Sequence, residues 1–228
     1  DTTVFSNGTR AYISGSNPVQ ARGLVEIDAQ STQGASSLAT SGAGGIVGTA
    51  GTGTVGIFNG TTEAYLQSAP VAAGGLAVNA QHDSRLFVAA GSAGIGGAAV
   101  GGAFTVAVDH SITKAYVADT TVDTAGSVDV QADNNSEIRN RTASGSGGGS
   151  AGIAGSALVS IIGNTTQAYI TDSQLGQSSS RAGQVSVQAQ DRVLSENKAG
   201  AVGLGVTGAG VGAGAAVTLV RNTTSAYV

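Results

Sequence analysis

The stretch Asn164-Thr-Thr-Gln-Ala-Tyr-Ile170 decides the reading of this chain, because its core recurs four more times. Thr9-Arg-Ala-Tyr-Ile13, Thr62-Glu-Ala-Tyr-Leu66, Thr113-Lys-Ala-Tyr-Val117 and Thr224-Ser-Ala-Tyr-Val228 all follow the pattern Thr-x-Ala-Tyr-aliphatic. Their tyrosines, Tyr12, Tyr65, Tyr116, Tyr169 and Tyr227, stand 53, 51, 53 and 58 residues apart. A steady period of this size marks one structural unit copied in tandem. Residues 1–228 read as a single array, with approximate repeats 13–65, 66–116, 117–169 and 170–227.

Further features keep the same beat. Val25-Glu-Ile-Asp-Ala29, Leu76-Ala-Val-Asn-Ala80, Val128-Asp-Val-Gln-Ala132 and Val185-Ser-Val-Gln-Ala189 alternate aliphatic with mostly polar residues. Period-2 alternation is the signature of a half-buried strand. In the tyrosine motif it puts Thr, Ala and the aliphatic on one face, and x with Tyr on the other. Position x is Arg10, Glu63, Lys114, Gln167 or Ser225, so the tyrosine face is expected to meet solvent. The threonines Thr9, Thr62, Thr113, Thr166 and Thr224 are expected to form a repeated row on the opposite face. The last unit is longer because its connector, residues 172–183, carries extra residues, as a surface loop tolerates.

Between these motifs run Gly/Ala/Ser stretches such as 89–108, 143–162 and 199–220. Residues 199–220 carry no charge and are long enough to cross a bilayer as a helix. Their many glycines oppose a helix, each by about 1 kcal/mol relative to Ala. The β-branched ends, Phe104-Thr-Val-Ala-Val108 and Val217-Thr-Leu-Val220, favour a long strand whose small side chains admit a closely packed neighbour. Copied strand units with few large side chains predict an all-β fold, a parallel β-solenoid (β-helix) of about four tandem repeats of ~52 residues. A period of ~52 fits three coils of about 17 residues or one large coil. The lack of similarity at one third of the period favours the large coil, which would bring the five tyrosines into a direct ladder.

Composition supports this class. The chain has 37 Gly, no Cys, no Met and no Trp, with 4% aromatic and 11% charged residues. Large side chains therefore cannot fill an ordinary globular interior. Disorder also fits poorly, given 41% hydrophobic residues and two prolines. A net charge of −4 with no basic run speaks against nucleic acid. Without cysteine, disulfides and thiolate metal sites are excluded. There is neither a signal peptide nor an initiator Met, so the chain reads as a piece of a longer one.

The combination of Asn-Thr-Thr-x-Ala-Tyr-aliphatic (Asn164 to Ile170, Asn222 to Val228), Val-x-Val-x-Ala and an intervening Ala/Gly run resembles repeats of giant bacterial surface adhesins. These are filamentous-haemagglutinin-like and related β-strand-repeat proteins, exported by Gram-negative bacteria. The resemblance covers nearly the whole chain, but its motifs are degenerate and identify a class. It implies a rigid extracellular stalk or fibre segment on the bacterial cell surface, associated with the outer membrane. It brings no catalytic residues with it.

Candidate sites are few. His82 and His110 have no cysteine or acidic cluster beside them, and His110, after Asp109, reads as a solvated bend. No Gly-x-Ser-x-Gly elbow with triad partners and no phosphate loop is present. Glu137, Arg139 and Arg141 form the densest polar group, and a polar bend explains them. The chain is expected not to be an enzyme and to carry no cofactor. Calcium is the one ion the connectors admit, through Asp119, Asp123 and Asp172, although the Gly-Gly-x-Gly-x-Asp nonapeptide is missing. Sequons at Asn7, Asn59, Asn164 and Asn222 read as turn chemistry and as sources of stacked side-chain hydrogen bonds. The expected partners are neighbouring repeats or further copies of the chain, with a surface glycan or protein at the tyrosine row. Neither nucleic acid nor a membrane span is expected.

Overall fold

The computed structural model describes residues 1–176 and 182–228, so the long connector 172–183 is seen only in part. The described residues are all-β, with no helix among them. The strands are β1 (Thr2–Ser14), β2 (Val19–Gln20), β3 (Leu24–Gln67), β4 (Val71–Ala72), β5 (Gly75–Ala118) and β6 (Thr121–Asp123). They continue with β7 (Ser127–Ile162), β8 (Thr165–Thr171), β9 (Gln174–Leu175), β10 (Gln184–Gly205), β11 (Ala209–Val220) and β12 (Thr223–Tyr227). Every pairing is parallel. An eight-stranded sheet runs β1-β3-β5-β7-β10, extended by β8, β11 and β12, and a small sheet runs β2-β4-β6-β9. Parallel sheets of long strands in this arrangement are compatible with a β-helix.

Each residue pairs with its counterpart one repeat away. Tyr12 pairs with Tyr65, Tyr65 with Tyr116, Tyr116 with Tyr169, and Tyr169 with Tyr227. The rung-to-rung offset is therefore the full period, and the repeats lie directly over one another. Length differences enter at two places only. One is the base connector, where the offset grows from Val122↔Leu175 to Ser127↔Gln184. The other is the far end, where the register shifts by one residue between Gly96 and Ala98.

The long strands β3, β5 and β7 are not straight. Each runs out as one leg, turns near Ile46, Gly97 or Gly149, and returns as a second leg facing the first through its side chains. Side-chain bonds across the gap trace this arch, from Thr52 to Ser41, Ser84 to Asp109 and Asn140 to Ser160. The two legs hydrogen-bond to neighbouring repeats rather than to each other.

The interior changes along the arch. At its base, the inward residues of both motifs, such as Leu66, Leu76, Val78, Val117, Val128 and Val130, pack with Val71 and Val122 of the small sheet. A second cluster holds Phe58, Leu86, Val88, Ile138 and Ile162. Beyond it the legs close on glycine. A Cβ on Gly152 would lie 2.2 Å from the Leu204 carbonyl oxygen, and one on Gly212 would lie 2.4 Å from that of Ala201. Only the absence of Cβ permits this approach. Residues 199–220, read above as strand or as membrane helix, lie in β10 and β11 for all but their turn. Among the described residues no helix is long and apolar enough to cross a membrane.

The two polar bends expected from sequence are a correction. Asp109 and His110 lie within β5, and Glu137, Arg139 and Arg141 within β7. The chain keeps its extended path there because alternate residues point into the arch, Asp109 among them, while His110, Glu137, Arg139 and Arg141 point out, so polarity signalled a face and not a turn. Asn7 and Asn59 likewise lie inside strands, whereas Asn164 and Asn222 occupy the breaks before β8 and β12.

The glycine approach generates a stability test. Gly152→Ala should destabilise the chain by about 1–3 kcal/mol, because its methyl group meets backbone that cannot yield. Gly147→Ala, with nothing within 4 Å of the added carbon, should be neutral or stabilising by about 0.4–1 kcal/mol. Urea melts of both variants decide it, and equal effects would contradict the close approach.

Candidate functional site

Two features repeat along the stack, one outside and one inside. Outside, the parallel register puts all five tyrosines in one row, since Ala and Tyr hold the same parity in every repeat. Successive ring centroids are 5.1, 4.8, 5.0 and 5.2 Å apart, with interplanar angles of 8°, 3°, 1° and 5°. Carbon surfaces touch at about 3.5–4 Å. A centroid spacing near 5 Å therefore means rings slipped sideways by about 3 Å, the offset geometry that aromatic quadrupoles favour. The end rings are the open ones, Tyr12 at 57% exposed and Tyr227 at 50%. Burial pushes the Tyr116 hydroxyl up to about 12, aided by Tyr169, Tyr65 and Glu63. Burial also raises Tyr169, with Tyr227 and Glu63 adding to it.

On the other face of the same motif Thr62, Thr113 and Thr166 are fully buried, while Thr9 is half-buried and Thr224 exposed. Thr62 Oγ1 lies 3.2 Å from His82 Nδ1. The hydroxyls of Thr113 and Thr166 have no hydrogen-bond partner. These threonines therefore space the backbone and fill volume rather than form a bonded ladder.

Inside the arch lies a polar row that the sequence reading did not assemble. Asp109 is sealed from solvent. Its carboxylate accepts hydrogen bonds from Ser84 Oγ at 2.8 Å, Ser111 Oγ at 2.7 Å and Ser136 Oγ. Three hydroxyl donors on one carboxylate supply the hydrogen bonds that a buried polar group requires. His82 is also sealed, and its ring sits against Gly60, where a Cβ would be 2.5 Å from Cε1. Its Nε2 has no partner. Burial lowers the His82 pKa, against the opposing pull of Asp109 and Asp83. Above His82 in its row come Asn134 and Asp191. Asp191 accepts from Asn134 Nδ2 at 2.8 Å and Asn222 Nδ2 at 2.6 Å. Burial raises the Asp191 pKa and these two bonds lower it. Along the opposite row, Asn164 Oδ1 accepts from the Ser111 N–H and Asn222 Oδ1 from the Asn164 N–H. A signal was present in the sequence: Ser31, His82, Asn134 and Asp191 share one position of the repeat.

The remaining candidates separate. His110 is exposed on the outer face of β5. Glu137 binds Arg85 at 3.6 Å and Arg139 at 2.6 Å, and Glu196 binds Arg141 at 3.4 Å, all on the outer face of the outgoing legs. Asp119 and Asp172 take left-handed conformations, φ 52° and 48°, in stacked turns where Ser68 has φ 54°. Asp123 lies in β6. Among the described residues no three acidic or histidine side chains converge on a common point.

Spectrophotometric titration should show Tyr116 ionising near pH 12, well above an ordinary tyrosine. Because the folded value is raised, stability is full below about pH 10 and is lost as pH climbs through the folded value. Tyr116→Phe keeps the stack and removes this late phenolate; five phenols ionising together near pH 10 would contradict the ladder. His82 runs the other way, since a lowered folded pKa makes stability full above about 6.5 and lost as pH falls below it. The stability gap between His82→Asn and the parent should therefore shift in the variant's favour below about pH 6.5; a pH-independent gap would contradict the buried neutral imidazole. Compared with known protein families, curated proteins and solved structures, the chain matches none of them.

Proposed function

We propose that this chain is a segment of a parallel β-solenoid with one ~52-residue repeat per coil, serving as a non-catalytic stalk or fibre segment of an exported bacterial cell-surface adhesin. The observation that carries the reading is the parallel pairing of each repeat with the next, like residue on like, along nearly the whole of each repeat. Backbone hydrogen bonds then run along one axis, which gives the array resistance to bending and proteolysis. Asp109 and His82, inside the arch, are sealed from solvent. The sequence motifs that resemble β-strand-repeat adhesins supply the cell-surface part of the proposal.

A second reading is self-assembly into an extracellular filament or matrix, in which repeats of separate chains would pair through the same parallel ladder that joins one repeat to the next. A carbohydrate-binding role for the tyrosine row has less to draw on, since the inner rings spend their faces on each other.

Antibodies to the 228-residue chain should label intact source cells, and surface proteolysis should remove the label. Labelling only after permeabilisation would overturn the cell-surface role. Small-angle scattering tests the coil separately: four large coils make a slab about 20 Å along the stacking axis, whereas twelve small ones make a rod of roughly 60 Å.

A further inference from the structure

The two broad outer faces of the stack differ in charge. The outgoing legs display Arg85, Glu137, Arg139, Arg141 and Glu196, with Leu38, Phe87 and Leu194 set among them. The return legs display aliphatic residues in every repeat: Val55 and Ile57, Val106 and Val108, Val159 and Ile161, Val217 and Leu219, with Val4 stacked beneath Ile57. The inward side of the same strands alternates Phe58, Ala107, Leu158 and Ile162 with buried polar residues such as Thr105, Asp109 and Ser160. Parallel sheets normally have both faces covered. Here the outer one is open, with Phe104 at 51% and Ile153 at 52% exposed.

This face also has a shape. Phe104 is the one large side chain of its row, whose other members are Gly53, Ala157 and Ala215. Its ring leans onto Gly53, where a Cβ would be only 2.1 Å away. A shallow apolar trough remains over Gly155, Ala157 and Ala215.

We propose that this face seats a second copy of the chain, packed face to face about a two-fold axis lying in the interface, parallel to the strands and between the rungs of Phe104 and Ala157. That rotation keeps each row opposite itself and exchanges the second and third rungs. Phe104 of one copy then stands over Ala157 of the other, and Val106 and Val108 meet Val159 and Ile161. The contact is isologous, each copy giving a knob and receiving one. A second copy has the same rung spacing and the same residue rise, so its rows stay in step across the whole face. From Val100 to Val108 over four rungs the face measures about 30 by 19 Å. Two such faces bury about 1,100 Å², above the roughly 1,000 Å² that a specific interface should clear. No charged side chain stands within these rows to oppose the approach. The inference holds whether or not the array serves as a cell-surface stalk.

Sedimentation velocity across a wide concentration range tests it on the whole 228-residue chain. The parent should be a dimer, as should Gln131→Lys, which adds charge to the opposite face. Val106→Lys combined with Val159→Lys should weaken self-association by at least about a hundredfold, because unpaired charge would be buried, with the circular dichroism of the parent retained. Ala157→Phe, which fills the trough without adding charge, should weaken it as well. A monomeric parent, or a dimer that survives the paired lysines, would overturn the proposal. A dimer indifferent to Ala157→Phe would overturn the axis, and a parent that stays monomeric but binds phosphatidylcholine vesicles would reassign the face to lipid.

Discussion

The parallel hydrogen-bond ladder that joins each residue to its counterpart one repeat on is the constraint from which the other features follow. Because like positions stack at a single rung spacing, every side chain must tolerate its own repeat-mates as nearest neighbours. Tyrosine does so by slipping ring over ring. Charge does so by alternating, since like charges directly opposite repel. The variable position of the tyrosine motif therefore reads Arg10, Glu63, Lys114 and then neutral residues, with Arg10 Nε 2.7 Å from Glu63 Oε2. Where like charges do stack on the outgoing legs, Arg141 on Lys198, Glu196 bridges them; Asp119 and Asp172 stack in the exposed turns. What looked like free variation along the sequence is a pairing rule along the axis.

A second consequence is the graded interior. Near the base, three walls enclose room for Leu, Val and Ile. Further out there are two legs only, and the interior passes through a zone of Asp109, His82, serines and asparagines before closing on glycine. The polar zone is tolerated because its members bond one another across the gap and up the stack. Small residues dominate the tip because the legs approach to backbone contact there, not because the chain is loose.

The two outer faces complete the picture. A charged face, knitted by ion pairs between repeats, gives a solvated side. The aliphatic face gives a side suited to another flat sheet. An array with one wet and one dry broad face can associate sideways without disturbing its own ladder.

The repeat period, the all-β class and the inward or outward sense of both motifs were legible in the residues, because period-2 alternation and tandem copying are local properties. The tyrosine row followed directly once repeats stack in register. The polar residues were legible in kind but misplaced: Asp109, His110, Glu137 and Arg139 were read as bends, since polarity between apolar runs looks the same whether it marks a turn or one side of a strand. Tertiary structure alone decided which positions face each other across the arch. Ser84 meets Asp109 within one repeat and Thr62 meets His82 across two, at separations that no motif encodes. It also decided that the run Leu158-Val-Ser-Ile-Ile162 leaves Val159 and Ile161 outside. A strand apolar on both sides carries no periodic mark of which side is covered, so only the path of the return leg could assign it.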